Sequence, residues 1–342
     1  MGSEQIANPH TRDTYLINSL IEESITSSQL EGASTTRKIA KEMLRAKRKP
    51  RDNSEKMIFN NYNAMEFIRE IAHEDLTLDI ICRLHKILTE GTLENVQAEG
   101  CFRGKDDIIV GDAFDPTVIL HEPPLAKELP KRIKNLCDFA NSKSDATFLH
   151  PVLKAVLLHF FLAYDHPFED GNGRTARALF YWSMLRQNYW AMEYVSISRI
   201  LKNAPAKYKR SYLYTETDDN DVTYFIMYQL EVIVRSINEL FDYFKKKAQE
   251  IKEVVSIIRK SPELQKILNY RQIALLNRAL KKPNSIYFVG SHRGAHNVTY
   301  DTARTDLLKL VDLGLLEKTK IGKAFAFLPV DNFRLKLQNL DH

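Results

Sequence analysis

The amino-acid sequence predicts a mainly α protein, interrupted once by a short β-hairpin and ending in a small module where helices alternate with strands. Three observations predict it. Apolar residues recur at helical spacing through most of the chain, as in Leu16, Ile17, Leu20, Ile21 and Ile25. A pair of short β-rich runs, Ile108-Ile109-Val110-Gly111 and Val118-Ile119-Leu120, breaks that pattern, with Asp112, Asp115 and Pro116 between them. From Tyr270 the order becomes helix, short strand, polar turn, helix and two strands.

Composition sets the class. The chain has 342 residues, 44% of them hydrophobic and 27% charged, as in an ordinary soluble protein large enough for about two domains. No apolar run reaches membrane-spanning length and the N-terminus carries no signal-peptide pattern, so no membrane partner is expected. Cys82, Cys101 and Cys137 are odd in number and widely spaced, which gives no zinc pattern and suits a reducing cytoplasm. The formal net charge of +5 is unevenly placed: residues 244–342 hold 19 Lys and Arg against 9 Asp and Glu, leaving 30 against 35 for the rest. A basic C-terminal part beside an acidic larger part suggests a polyanion for the former.

Chemistry concentrates in twelve residues, His166-Pro167-Phe168-Glu169-Asp170-Gly171-Asn172-Gly173-Arg174-Thr175-Ala176-Arg177. His166 titrates near neutral pH and suits a general base. Asp170 is a hard oxygen ligand suited to magnesium. Gly171-Asn172-Gly173 forms a tight turn at the start of a helix predicted over Thr175–Leu185, where unshielded backbone N–H groups and the helix dipole attract anions. Arg174 and Arg177 share one helix face, as a polyphosphate clamp requires. Taken singly, a Gly-Asn-Gly turn or a histidine after a helix is ordinary. The ordered set is not, and it resembles the HPFx(D/E)GNGRxxR motif of the Fic family at every fixed position.

That resemblance implies a Fic-type helical bundle that transfers AMP from ATP to a Ser, Thr or Tyr hydroxyl of a target protein, and to itself. His166 would be the base, Asp170 the magnesium ligand, and Gly171, Asn172, Gly173, Arg174 and Arg177 the ATP contacts, with Asn172 steadying the α-phosphate. Upstream, a helix over Thr14–Leu30 runs into Ser27-Ser28-Gln29-Leu30-Glu31-Gly32, which matches the family's (S/T)xxxE(G/N) inhibitory motif. Glu31 would then pair with Arg177 and keep ATP from seating productively, assisted by Ser27, with Gly32 stopping the helix. The hairpin, with Val110 and Gly111, is either a decorative loop or the family's flap, which registers a target segment by β-augmentation.

The remaining elements follow in order. A basic helix is predicted from Arg37 to Arg51, amphipathic helices over Met57–Ile71 and Leu78–Leu88, and another from the end of the hairpin to about Asn141. The run Leu149–Tyr164 is apolar nearly all round and reads as the buried central helix, with His150 and His159 as structural histidines. Ser196–Lys202 and Ala206–Glu216 are short helices; Tyr208 and Tyr212 either wall the adenine, as the matching segment does in the family, or simply pack. Asp218-Asp219-Asn220-Asp221 is a loop without a calcium pattern, followed by a long helix from Val222 to about Ile258. The C-terminal module comprises a helix over Tyr270–Leu280, a strand over Ile286–Val289, a polar turn over Gly290–Asn297, a helix over Thr299–Leu313, and the strands Leu315–Lys320 and Ala324–Leu328 about Gly322. It resembles a winged helix-turn-helix whose helix from Thr299 would read DNA. Such modules also dimerise or dock proteins, so a homodimer is a further partner. The expected domains are an N-terminal helical region 1–100 with the inhibitory helix at 14–32, a catalytic core 101–220 with the flap at 102–124 and the motif at 166–177, a connecting helix 221–260, and the winged module 261–342. The alternative function is a DNA-binding transcription regulator that uses the Fic domain as a nucleotide sensor.

Overall fold

The computed structural model describes residues 9–111, 119–142, 148–258, 267–281, 285–321, 324–331 and 333–338. The residues expected at the hairpin tip, Asp112, Asp115, Pro116 and Val118, lie outside that set, as does Gly322. The protein is mainly α and forms two compact units. One comprises Asn18–Lys41 and Lys49–Asn238; the other comprises Met1–Ile17, Glu42–Arg48 and Glu239–His342.

The larger unit is built around two consecutive helices, α6 (Pro151–Asp165) and α7 (Asn172–Arg186), which pack on each other. The sequence pointed to α6 as the enclosed helix, but α7 is the more completely buried: Phe161 of α6 is 36% exposed, whereas every residue from Arg174 to Leu185 is buried. A helix buried all round must satisfy its polar side chains internally. Trp182 does so by donating to the Ile71 carbonyl at 3.3 Å, and Thr175 to the Gly171 carbonyl at 2.9 Å. Around this pair stand α3 (Asn53–Glu70), α4 (Leu78–Thr89), α5 (Leu129–Asn141), α8 (Ile197–Asn203), α9 (Pro205–Thr217) and the start of α10 (Thr223–Ile258). Caps set the boundaries: Asp52 accepts from Glu55 N at the start of α3, Thr77 from Ile80 N at α4, and Ser196 from Arg199 N at α8.

Helix α1 (Pro9–Leu30) lies against this bundle with Leu20 through Ser28 all buried. Its polar side is enclosed as well as its apolar stripe. Glu23, 2% exposed, accepts from Tyr181 Oη at 2.9 Å, Ser196 Oγ at 2.8 Å and Ser198 N at 3.1 Å, and also from Ser198 Oγ. Ser28 Oγ donates to the Met57 carbonyl at 3.1 Å. Gly32 ends the helix at φ +92°, with Ala33 N returning to the Ser28 carbonyl at 3.0 Å, the bonding of a Schellman cap. The basic helix that follows, α2 (Arg37–Ala46), stops short of Arg51 because Lys47 turns left-handed at φ +50°.

The hairpin forms as β1 (Val110–Gly111) and β2 (Ile119–His121), antiparallel with a bulge between Val110 and Gly111. In the second unit, α11 (Tyr270–Lys281) is followed by β3 (Tyr287–Phe288), α12 (Val289–His296), α13 (Tyr300–Asp312), β4 (Leu316–Ile321), β5 (Ala324–Pro329) and α14 (Phe333–Gln338). The stretch read as a polar turn over Gly290–Asn297 is helical, because Val289 and His292 are buried on one side and Asn297 provides a left-handed cap at φ +49°. The sheet order is β3-β5-β4, all antiparallel. Leu276, Ala279, Leu307, Leu310 and Leu315 form its fully enclosed core beside a buried carboxylate, Asp306, which accepts from Asn269 Nδ2 at 2.7 Å and from Arg271 at 2.8 Å.

Two buried histidines of the larger unit make stability depend on pH. Burial pushes His85 down to about 4 and His159 down to about 3. Both take up a proton in the unfolded chain below about pH 6.5 but stay neutral in the fold. Their contribution is therefore whole above about pH 6.5 and shrinks as pH falls toward the folded values, by about 2 kcal/mol each at pH 5. Urea unfolding from pH 7.5 to 5 should show falling stability, and the fall should be smaller in His159→Asn. An identical pH slope in that variant would show that His159 is not the proton-linked group.

Candidate active site

The site forms where α6 hands over to α7. His166 caps α6 in the left-handed conformation, φ +45° and ψ +56°, with its N–H bonded to the Leu162 carbonyl at 3.1 Å. Its Nδ1 faces the Ala163 carbonyl at 3.4 Å, so that nitrogen carries the hydrogen and Nε2 keeps its lone pair. Burial lowers the pKa of His166 below the ordinary histidine value; the Ala163 carbonyl and Glu31 oppose that, while His121 and Arg103 reinforce it. The imidazole is thus neutral and able to accept a proton at neutral pH.

The loop between the helices is held from inside. Phe168 is fully buried, stacked flat on His85 with ring centroids 3.7 Å apart. Gly100 N donates to His85 Nδ1 at 3.0 Å, so Nε2 carries the hydrogen and donates to the Asp170 carbonyl at 2.8 Å. Gly171 turns the backbone at φ +83°, where an added Cβ would meet Thr89 Cγ2 at 2.8 Å and His85 Nε2 at 3.2 Å. Asn172 is 2% exposed, and both ends of its amide are used: Oδ1 accepts from Phe168 N at 2.9 Å and Nδ2 donates to the Phe168 carbonyl at 2.8 Å. Its amide thus helps to close the loop.

Helix α7 starts without a side-chain cap, since Gly171 has none to offer. Its first N–H groups have no intrahelical partner, and with the positive end of the helix dipole they form an anion site. Arg174 and Arg177 rise from the next turns, each 1% exposed. Arg174 donates to the Leu88 carbonyl at 3.1 Å and reaches Asp170 Oδ2 at 3.4 Å. Asp170 accepts from Gly171 N at 2.5 Å through its other oxygen, and its side chain is 62% exposed. Among the described residues no group of three His, Cys, Asp or Glu side chains stands close enough to hold a metal. A magnesium ion at Asp170 would therefore take most of its ligands from water and phosphate oxygens, its usual habit, and one exposed hard carboxylate fits that need.

Arg177 meets the end of α1. Its Nε donates to Ser27 Oγ at 3.0 Å, and one terminal nitrogen donates to the Ser27 carbonyl at 3.0 Å and to Glu31 Oε1 at 2.7 Å. Burial alone would raise Glu31, but the Arg177 charge and hydrogen bond, with Arg174 beyond, hold its carboxyl below the usual range. Gly173 makes room, since a Cβ there would run into Glu31 Oε1 and come within 3.0 Å of Arg177. The expected Ser27 and Glu31 thus meet the motif in space at Arg177, with Ser27 bonded to the arginine rather than to Glu31, while Gly32 serves at the helix stop.

Tyr208 is half-buried, its hydroxyl 2.8 Å from His159 Nε2 and 3.2 Å from Tyr212 Oη, and its ring lies among Phe225 and Tyr228. Val110 and Gly111 lie in β1, with Ile109 and Ile119 about half exposed beside them. The sequence reading missed His85, Arg103, His121 and Glu23. His121 ties β2 down, with Nδ1 2.8 Å from Glu216 and Nε2 2.6 Å from the Tyr164 carbonyl. Burial would lower His121, but these partners raise it.

With this geometry in hand, the comparisons are specific. Residues 75–184 match the Fic/DOC family. The protein adenylyltransferase Fic of Nematostella vectensis is 35% identical over 116 residues, 34% of this chain and 24% of the relative. That of Drosophila melanogaster is 33% identical over 128 residues, 37% of this chain and 24% of the relative. The chain thus spans about a quarter of the length of the curated relatives it matches. A Fic family protein from Desulfovibrio desulfuricans shares the fold over 96% of this chain and 90% of its own, with a TM-score of 0.55 and 17% identity. A Fic domain containing signaling protein from Bacteroides thetaiotaomicron does so over 70% and 92%, with a TM-score of 0.58 and 21% identity. The motif at residues 166–177 lies within the stretch, residues 75–184, that matches the Fic/DOC family.

Proposed function

We propose that the chain is a protein adenylyltransferase, which moves AMP from ATP to a Ser, Thr or Tyr hydroxyl of a target protein and to itself. The observation that carries the reading is one juxtaposition: a neutral imidazole, whose Nε2 has no hydrogen-bond partner among the described residues, stands beside an uncapped helix start that bears two buried arginines. Two relatives that match about a third of this chain are named protein adenylyltransferase Fic, which supports the donor and the reaction class.

In this reading the phosphates lie on the Gly171–Gly173 backbone, with Arg174 and Arg177 neutralising the charge that grows on the departing pyrophosphate. Asp170 would hold magnesium, whose charge supplies further neutralisation. The target hydroxyl attacks the α-phosphorus in line, its proton passes to His166 Nε2, and the bond to the bridging oxygen of pyrophosphate breaks. Apolar Ile109 and Ile119 on the hairpin suit an extended target segment. Tyr208 stands near Arg177 and is offered as a contact to the nucleotide.

Glu31 makes the resting protein weakly active. Its carboxylate occupies the arginine that the γ-phosphate needs, so ATP seats with its α-phosphorus off line. Glu31→Gly should raise self-labelling from α-labelled ATP by about tenfold or more. An unchanged or lower rate would remove the inhibitory role. His166→Ala in that background should lower the rate by about a hundredfold while ATP still binds. Wild-type transfer without the imidazole would remove the base assignment.

A second reading concerns residues 261–342. The order α11, β3, α12, α13, β4, β5, with Arg304, Lys318 and Lys320 exposed, supports reading it as a winged helix. We read it as a nucleic-acid module, which leaves room for the regulator function, in the cytoplasm. The full chain should bind duplex DNA with affinity falling linearly in log salt. No gel shift at low salt would favour a protein-docking or dimerising role.

A further inference from the structure

Arg103 lies just ahead of the hairpin and is 4% exposed. A buried guanidinium offers five donors in a fixed fork and normally takes a carboxylate as partner. Here most acceptors are backbone carbonyls from three separate segments. Nε donates to the His166 carbonyl at 2.9 Å. One terminal nitrogen donates to the Lys105 carbonyl at 2.9 Å and reaches Asp106 Oδ1 at 3.4 Å, and the other donates to the Pro124 carbonyl. The main-chain N–H of Arg103 adds a bond to the Pro167 carbonyl at 2.8 Å. Lys105 and Pro124 are the two feet of the hairpin; His166 and Pro167 open the loop that carries the base.

This arrangement joins the hairpin to the loop, beside the tie that His121 makes from β2 to the Tyr164 carbonyl. His166 holds a left-handed backbone, which an L residue keeps only where its surroundings over-determine it. Arg103 pins the carbonyls of that residue and the next. The same side chain fixes both feet of the hairpin, and Asp106 strengthens them by accepting from Ala126 N at 2.5 Å. Any change in the height of the hairpin over the loop must therefore break bonds at one buried group.

We propose that Arg103 is a positioning residue, which sets the distance between a target segment held on the hairpin and the Nε2 of His166. The proposal rests on the transfer reading above. Arg103 does not touch the nucleotide site and should act on turnover rather than on ATP binding. Its charge also lies near His166 and helps to keep that imidazole neutral.

The test uses the full chain in the Glu31→Gly background, with α-labelled ATP and self-labelling as the readout. Arg103→Lys keeps the charge but cannot reach three segments at once. It should lower the labelling rate at saturating ATP by about ten- to a hundredfold, with the KM for ATP within about twofold. A rate within twofold of the parent would overturn the proposal. So would a KM for ATP that rises as far as the rate falls, which marks general damage. Asp106→Ala covers the case in which the buried substitution does not fold, because Asp106 is half exposed. It should lower the rate by about threefold at unchanged KM, and an unchanged rate would overturn the proposal. No label on the Glu31→Gly parent would sink the transfer reading and the proposal with it. Label on the parent with Arg103→Lys unaffected sinks the proposal alone.

Discussion

A guanidinium taken out of water must be given acceptors, and much of the larger unit follows from how Arg177 is given them. Ser27 Oγ and the Ser27 carbonyl on α1, and Glu31 Oε1 just past its end, accept from it. Leaving a buried charge without partners costs several kcal/mol, so the arginine in effect dictates where the end of α1 must lie. The helix answers with a second buried ionisable group, Glu23, satisfied by Tyr181, Ser196 and Ser198. Burial raises the pKa of Glu23, which its hydrogen bonds only partly oppose, so the helix is held by polar closure as much as by Leu20, Ile21 and Ile25.

The loop between α6 and α7 shows the same logic at the scale of the backbone. Its carbonyls and amides are satisfied by side chains from far along the chain, His85 for Asp170 and Arg103 for His166, and by one close at hand, Asn172, for both polar groups of Phe168. Phe168, clamped on His85, is the apolar anchor. His166, Asp170 and the start of α7 are thereby fixed on a scaffold that leaves the first helical N–H groups to be used by something else.

The motif was legible because its residues are contiguous: histidine, carboxylate, glycine turn and arginines fall within one turn and one helix start. Glu31 was legible only through the inhibitory motif, and the structure supplies the contact with Arg177 that spacing cannot. Arg103, His85 and His121 left no trace in the sequence, because each bonds to backbone carbonyls or amides that any residue could provide. The enclosure of α7 was hidden by Thr175, Arg177 and Ser183, which look like a solvent face until their partners are known. The helix over Val289–His296 was hidden by Gly290 and Gly294, which local preference assigns to a turn and tertiary packing overrides.

His166 stands where a helix C-cap would ordinarily take glycine, since an L residue in the left-handed region costs about 1–2 kcal/mol. The fold therefore carries an imidazole at a position it would rather leave bare. Drift toward greater thermal robustness alone would favour glycine there. A chain that bears glycine at the head of this loop would keep the scaffold without the imidazole.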